Sequence, residues 1–129
     1  MNFRSYLERL QDILYSRRDI RVEHQDIVET DVDAVFAVRM RFLDDSLLMI
    51  NEELEIQGKR RLQRMGYVFH YQRGDGVLIF RYDNSPHYPQ LATFPAHKHV
   101  GDLVIAAEPP DLADVLREID AIIYSGTNQ

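Results

Sequence analysis

Apolar side chains occupy every second position between residues 34 and 42. They are Ala34, Phe36, Val38, Met40 and Phe42, and they alternate with Val35, Ala37, Arg39 and Arg41. A period of two places alternate side chains on opposite sides of an extended backbone, so this segment is predicted to be a strand with one buried face. Asp44-Asp45-Ser46 follows as a turn, because short polar side chains hydrogen-bond their own backbone. The segment 47–56 is predicted to return as the second strand of a hairpin.

A second hairpin is predicted between residues 67 and 82. Aromatic side chains at Tyr67, Phe69 and Tyr71 share one face of its first strand, and Val68 and His70 share the other. The glycines of Arg73-Gly74-Asp75-Gly76 suit a tight turn, and 77–82 is predicted to return as a strand. Val77 and Ile79 are expected to be buried on this return strand, on the same face as Arg81.

Two amphipathic helices are predicted near the two ends of the chain. Apolar residues recur at intervals of three and four over 3–15 and again over 112–123. Pro109-Pro110-Asp111 is typical of a helix start, and Gly126 of a helix stop. Less clearly patterned strands are expected at 20–28 and 102–107. This order predicts a single α+β domain over residues 1–129, an antiparallel β meander of four to six strands flanked by an N-terminal and a C-terminal helix that cover one face.

The amino-acid composition excludes several kinds of functional site. The 129 residues include no Cys, which excludes disulfides, thiolate metal sites and a cysteine nucleophile. The apolar runs are too short to cross a bilayer and the N-terminus lacks a signal-peptide core, so a cytoplasmic protein without membrane partners is expected. The formal net charge of −6 argues against broad attraction to nucleic acid. The window 60–99 is different, because it holds six Lys or Arg, two acidic residues and four of the five histidines.

Candidate catalytic residues lie in and beside a long segment, 83–98, which Pro86, Pro89 and Pro95 keep out of regular structure. If His97-Lys98-His99 is extended, both imidazoles lie on one side and the lysine on the other. With His87, these imidazoles can bind a divalent metal, or they can act as general acid and base without one. Hydrogen bonding to the backbone alone is the third interpretation.

Arg81 and Asp83 form a second candidate group at the end of a predicted strand. Two residues apart, they share a face, and an ion pair is expected because an unpaired buried charge is costly. The alternative is that the Arg81 guanidinium binds phosphate, with Tyr82, Asn84 and His87 nearby.

Arg60, Arg61 and Arg64 form a third group, just before the aromatic row of the second hairpin. Positive charge beside aromatic rings can serve as a platform for single-stranded nucleic acid. The alternative is that the aromatic row belongs to the core and the arginines to a solvated turn.

The segments 78–87 and 93–99 resemble the signature of the TumE-type toxin family. They read Leu-Ile-Phe-Arg-Tyr-Asp-Asn-Ser-Pro-His and Thr-Phe-Pro-Ala-His-Lys-His. The order of helix, hairpin with an Asp-rich turn, aromatic strand and C-terminal helix is similar as well. Two positions depart from the family pattern, since Tyr88 and Ala96 stand where the family has histidines. The resemblance implies a toxin of a prokaryotic toxin–antitoxin system, a cognate antitoxin expected to be of the helix-turn-helix type, and ribonuclease action on messenger RNA.

The sequence-based hypothesis is a toxin that cleaves RNA without a metal or other cofactor. Such cleavage needs an acid, a base and a cation for the phosphorane, and the predicted catalytic residues are His87, His97, His99, Arg81 and Lys98. The predicted substrate-binding residues are Asp83, Asn84, Tyr82, Arg60, Arg61 and Arg64. Two alternatives stay open: a non-enzymatic interaction or regulatory protein, and a small metal-binding β domain with His87, His97 and His99 as ligands and Asp83 joining them. RNA is an expected partner, and an exposed edge strand leaves a homo-oligomer open.

Overall fold

A computed structural model describes residues 2–57 and 61–125. This part of the chain forms two helices and seven strands: α1 (Phe3–Tyr15), β1 (Ile20–Glu29), β2 (Asp33–Phe42), β3 (Leu47–Gln57), β4 (Arg61–Gln72), β5 (Leu78–Asp83), β6 (His97–Val100), β7 (Leu103–Ala106) and α2 (Leu112–Ile123). The strands lie side by side in chain order, and every neighbouring pair is antiparallel. The predicted α+β class and meander are confirmed. Neither described helix has the length and apolar character needed to span a membrane.

The sheet has seven strands within the described residues, where four to six were predicted. The strand that sequence analysis missed is β6, which is four residues long. A segment this short, next to a proline-rich loop, gives too few positions for an alternation to be recognised. Gly101 follows β6 at a φ of 58°, a backbone angle that glycine adopts without steric cost, and turns the chain into β7.

Both helices pack on the same face of the sheet, as predicted. Leu10 and Leu14 of α1 and Val115 and Ile119 of α2 belong to one buried apolar cluster with the sheet. Its buried strand residues are Ile20, Phe36, Val38, Met40, Phe42, Leu48, Ile50, Tyr67, Phe69, Tyr71 and Phe80. We call the side of the sheet that carries these residues the helix-covered face. The opposite side, to which the alternate residues of β2–β6 point, is the open face.

The ends of the helices are fixed by polar contacts. Asp111 caps α2 by accepting the Asp114 N–H at 2.8 Å, and this contact satisfies a backbone donor that the helix itself cannot pair. Arg17, just after α1, forms two parallel hydrogen bonds of 2.8 Å with the Asp120 carboxylate of α2. This bidentate pair joins the two helices across most of the length of the chain.

In strand β5 the prediction that Val77 and Ile79 are buried holds only in part, since Ile79 is half-buried against the core. Phe80 is 1% exposed, whereas Val77 lies before the strand and is 52% exposed. The ring of Phe80 packs 5.2 Å from that of Tyr71, and an aromatic ring buries more apolar area than valine does. Arg81 therefore points to the open face, away from the helices.

The loop 84–96 is fastened to the sheet at both ends. The side-chain oxygen of Asn84 accepts the Tyr67 N–H of β4 at 3.2 Å, and its amide nitrogen donates to a β4 carbonyl at 3.0 Å. Near the other end, Thr93 Oγ1 accepts the Ala107 N–H at 2.9 Å. These side chains supply hydrogen bonds that an irregular backbone cannot make by itself.

Candidate active site

The candidate active site lies on the open face, where β5 and β6 run side by side. The register pairs Arg81 with His99 and Asp83 with His97. His97-Lys98-His99 is extended, and its two imidazole rings share one side with their centroids 4.9 Å apart, which confirms that prediction. Arg81 and Asp83 of one predicted group thus meet His97 and His99 of the other, and we call these four residues the Asp83 cluster.

Asp83 is at the centre of this cluster and is 4% exposed. Its Oδ1 accepts from His97 Nε2 at 2.9 Å and from the Ser85 N–H at 3.0 Å. Its Oδ2 accepts from Arg81 Nε at 3.0 Å, so the expected ion pair is present, and His99 Nε2 lies 3.7 Å from the same oxygen. Burial raises the pKa of Asp83, but the Ser85 N–H, Arg81 and His97 outweigh it and hold the pKa below its usual value. The carboxylate is therefore charged at neutral pH.

His97 is 1% exposed, and both of its ring nitrogens face hydrogen-bond acceptors. Nδ1 lies 2.9 Å from the carbonyl oxygen of Pro95, and Nε2 lies 2.9 Å from the Asp83 carboxylate. These two contacts fix the orientation of the buried ring between the Pro95 carbonyl and the Asp83 carboxylate.

His99 has a different environment, with a side chain that is 25% exposed. Burial lowers the pKa of His99, and His97 and Arg81 lower it further, although Asp83 acts in the opposite direction. The net direction is downward, so the His99 imidazole is neutral at pH 7. A neutral imidazole can accept a proton from a bound molecule.

His70 of β4 joins the cluster, although the sequence analysis assigned it no role. It pairs with Arg81 in the register, and its Nδ1 lies 3.4 Å from Arg81 Nη1. Gln72 Oε1 lies 3.0 Å from His70 Nε2, which places the ring proton on Nε2 and leaves the Nδ1 lone pair for the guanidinium. The available signal was the position of His70 opposite the aromatic row, and this becomes informative only once the β4–β5 register is known.

Arg81 keeps unused hydrogen-bonding capacity. Its Nε donates to Asp83 and its Nη1 faces His70, while its Nη2 has no hydrogen-bond partner among the described residues. The side chain is 39% exposed. A guanidinium with a free donor suits a phosphate, and here it stands next to the neutral base His99.

Asp83, His97 and His99 are also a potential metal-binding group. One ligand atom from each of these residues lies within 4.8 Å of the others. Two imidazoles and one carboxylate can bind a divalent transition metal, and the contact between His97 Nδ1 and the Pro95 carbonyl is of the kind that orients histidine ligands. Of the predicted ligands, Asp83, His97 and His99 lie together, whereas His87 is not part of this group within the described ranges.

A model of the family described as Toxin TumE matches residues 8–124. The chain belongs to the TumE toxin family. The match includes every strand of the sheet and each residue of the Asp83 cluster. Neither a curated protein nor a solved structure matches the chain.

The two departures from the TumE-type motif lie against the cluster and in the core. Tyr88 makes edge-to-face ring contacts with His97 at 4.8 Å and with His99 at 5.9 Å. Ala96 is 4% exposed and belongs to the apolar core. Where the family has histidines, this chain therefore has a ring that packs on the imidazoles, Tyr88, and a residue of the apolar core, Ala96.

Lys98 and Tyr82 lie on the helix-covered face. Lys98 Nζ and Tyr82 Oη each donate to the Glu118 carboxylate of α2 at 2.6 Å. The Lys98 ammonium also lies 4.8 Å from the centre of the Tyr82 ring. The alternation that gathers the Asp83 cluster on one face thus takes these two residues to the other. There they link the sheet to α2, and their roles in catalysis and substrate binding stay predictions.

The arginines proposed as a nucleic-acid platform do not come together on the open face in the described part of the chain. Arg64 Nη1 donates to Glu52 Oε2 at 3.2 Å on the helix-covered side, and its guanidinium lies 4.4 Å from the Tyr67 ring centre. Arg61 is exposed at the start of β4. Arg60 lies outside the described residues.

Asn84 and His87 lie in the loop that follows β5. The Asn84 side chain is committed to the β4 backbone, as described above. His87 is exposed, and its backbone N–H donates to the Ser85 carbonyl at 2.9 Å. The structure therefore places Asn84 beside the cluster as a support for the loop, and His87 on the surface.

Proposed function

We propose that this protein is the toxin of a prokaryotic toxin–antitoxin system, and that its single domain acts as a metal-independent ribonuclease at the Asp83 cluster. Membership of the TumE family supports the first part. One observation carries the second: the neutral base His99 and the partly unpaired guanidinium of Arg81 lie side by side against the same carboxylate. This combination offers proton transfer and phosphate binding in one place.

In the proposed reaction, the imidazole of His99 takes the proton of an RNA 2′-hydroxyl as that oxygen attacks the adjacent phosphorus. The 2′-oxygen–phosphorus bond forms, the bond from phosphorus to the 5′-oxygen breaks, and the proton on His99 passes to the leaving oxygen. The products are a 2′,3′-cyclic phosphate and a 5′-hydroxyl. Arg81 stabilises the added negative charge on the phosphorane through its free Nη2 donors.

Asp83 and His97 act as positioning residues in this scheme. His97 is 1% exposed, so it acts on RNA only through Asp83, whose carboxylate it holds with the help of Ser85. When His99 becomes an imidazolium, the Asp83 oxygen 3.7 Å away stabilises the new charge.

The test is growth arrest and RNA cleavage with a His99→Ala variant. Induction of the gene in a bacterial host should arrest growth, and His99→Ala should abolish the arrest while keeping the circular dichroism spectrum. Gln90→Ala, an exposed position in the neighbouring loop, is the matched control and should stay toxic. Purified protein should cleave RNA in the presence of chelator and leave cyclic phosphate ends. A folded His99→Ala variant with full toxicity would contradict the proposed role of the base.

Metal-dependent chemistry is the second candidate, and the grouping of three ligand atoms within 4.8 Å favours it. Asp83, His97 and His99 would hold zinc, nickel or iron, and the metal would activate a water or polarise a phosphoryl oxygen. Metal content after purification tests this candidate. Activity that chelator removes and one added metal restores would select it over the metal-independent reaction.

We further propose a cognate antitoxin of the helix-turn-helix type and action in the cytoplasm. The edge strand β7 exposes Leu103 and Ile105, at 67% and 42%, and an edge of this kind can pair with an antitoxin or with a second copy of the chain. Co-expression with a candidate helix-turn-helix antitoxin and light scattering of the purified protein distinguish these partners. Growth arrest without RNA cleavage would favour a toxin that acts by binding alone.

A further inference from the structure

The open face continues from the candidate active site across the sheet. Arg39, Met49, His70, Arg81 and His99 are paired in the register, one residue from each of the strands β2 to β6. Residues paired in this way lie side by side on the same face of a sheet. The row therefore leads from the base His99 to an arginine three strands away from Arg81.

That arginine belongs to a cluster of three guanidinium groups around one carboxylate. Glu23, at a bulge in β1, accepts from Arg21 at 3.0 Å, from Arg39 at 3.1 Å and from Arg41 at 3.2 Å. Arg41 and Arg21, and then Arg39, lower the pKa of Glu23 to about 2. Asp45 adds a second negative charge 3.8 Å from Arg41. The cluster keeps an excess of positive charge in a protein whose net charge is −6.

Two of these arginines have donors to spare. Arg39 uses only Nε and Arg21 uses only Nη2 for Glu23, and their side chains are 47% and 73% exposed. Arg41, by contrast, is 19% exposed and donates to Glu23 and to the Asp45 carbonyl. Over the described residues, both Nη groups of Arg39 lack a hydrogen-bond partner, as Nη2 of Arg81 does.

The spacing of the two unpaired guanidiniums suits a strand of nucleic acid. Three strand spacings separate Arg39 from Arg81, which is roughly 14 Å at about 4.8 Å per strand. About four nucleotides of a stacked strand cover that distance at roughly 3.4 Å per nucleotide. Met49 and His70 form the floor between them, next to an open hollow of about 490 Å³ that Ala37 and Asn51 also line.

We infer that Arg39, supported by Arg21, is a second phosphate-binding site for the RNA that is cleaved at the Asp83 cluster. The substrate is then a single strand that crosses β2–β6 along the open face. This inference rests on the proposed function, because that function supplies the RNA. The planar fork of arginine binds a phosphate through two parallel hydrogen bonds. Met49 carries no charge, and Glu23, which lines the neighbouring hollow, is paired with three arginines.

The test is RNA binding in a His99→Ala background, where cleavage does not interfere. A fluorescent octanucleotide spans both sites, whereas a dinucleotide is too short to bridge them and is expected to bind at the Asp83 cluster, where cleavage is proposed. Arg39→Gln should weaken octanucleotide binding about five-fold or more and reduce the slope of log affinity against log salt by about 0.7. Dinucleotide binding should not change.

Arg117→Gln is the matched control, because Arg117 is an exposed arginine on α2, on the other side of the sheet. It removes the same charge and should leave both affinities unchanged. Arg39→Lys should recover the salt slope but only part of the affinity, since it keeps the charge and loses the fork. Melting temperatures establish that each variant is folded, and Arg39→Gln leaves Glu23 paired with Arg21 and Arg41.

Equal octanucleotide affinity for Arg39→Gln and its parent would overturn the inference, and so would equal losses with both oligonucleotides. Polyglutamate at the same charge concentration is the competitor. If it displaces the octanucleotide from the parent but not from Arg39→Gln, the inference is overturned and an acidic protein segment is the ligand of Arg39. The proposed function fails separately. If octanucleotide binding depends on Arg39 but the protein with His99 intact cleaves no RNA, the binding site stands and the ribonuclease proposal is wrong.

Discussion

Strands β5 and β6 contact one carboxylate on each face of the sheet, Asp83 of β5 on the open face and Glu118 of α2 on the helix-covered face. The two centres differ in whether the side chains bound there keep free hydrogen-bond donors. On the helix-covered face, Glu118 accepts one hydrogen bond from Lys98 and one from Tyr82, and both donors come from the sheet. On the open face, Asp83 binds Arg81 and His97, yet Arg81 keeps a free donor. The first centre fastens a helix. The second holds groups that can still bind and react.

Burial also separates the two centres. The Asp83 side chain is 5% exposed and that of Glu118 is 30% exposed. Losing a partner costs more where water cannot replace it, so the open-face centre is the more sensitive of the two. A reactive group and a stabilising group can thus occupy neighbouring positions of the same strand, and the difference is set by what covers each face.

The largest expected effect is that of Asp83→Ala. It leaves the buried His97 ring and the Arg81 guanidinium without the carboxylate that both contact, and we expect the free energy of unfolding to fall by about 2–4 kcal/mol. This is below the usual cost of breaking a buried pair, because Arg81 is 39% exposed and water can solvate it. Urea denaturation measures the change. Asp12→Ala, an exposed position on α1, should shift the same curve by less than about 0.5 kcal/mol.

A smaller effect is expected for Lys98→Met, which keeps the contact with the Tyr82 ring and removes the charge. We expect a loss of about 1 kcal/mol or less, and a double-mutant cycle with Glu118→Gln should give a coupling energy of similar size. A loss as large as that of Asp83→Ala would remove the contrast between the two faces. Toxicity of Lys98→Met reports on its predicted catalytic role: retained toxicity places Lys98 outside the reaction, and lost toxicity in a folded variant supports that role.

The smallest effect concerns pH. Because the pKa of His99 is lower in the folded protein than its ordinary value of 6.5, the folded state disfavours protonation. Its contribution to stability is present above about pH 6.5 and is lost as the pH falls from there through the folded pKa. Melting temperature between pH 7 and pH 5 should therefore fall less steeply for His99→Gln than for the parent. Parallel curves would contradict the assigned direction.

Regular alternation made much of the fold predictable. Tyr67, Phe69 and Tyr71 share the buried face as predicted, because a strand with one buried face has apolar residues at every second position. The same rule placed His97 and His99 on one side and Lys98 on the other. The ion pair of Arg81 with Asp83 was also predictable, since two residues of a strand separated by one position share a face.

The remaining features depend on contacts between distant residues. His70 meets Arg81 because of the β4–β5 register. This register includes an irregularity between Tyr71 and Gln72 that the local sequence pattern does not predict. Arg64 binds Glu52, and the Lys98 partner Glu118 lies on a helix twenty residues later. Local spacing identified these side chains as chemically capable, but the face that each one occupies was decided by its neighbours in three dimensions.

The chain-order sheet has a consequence for folding kinetics. Each strand pairs with the next one along the chain, so every hairpin closes a local loop. The longest described one is 84–96 between β5 and β6, and the entropic cost of closure grows only slowly with loop length. The exception is the helix pair, because the contact of Arg17 with Asp120 joins residues 103 positions apart. Local pairing of this kind favours rapid folding of the sheet. We expect the docking of α2 against α1 to be the step that sets the rate, and a folding rate that falls in Asp120→Ala would show that this contact forms in the transition state.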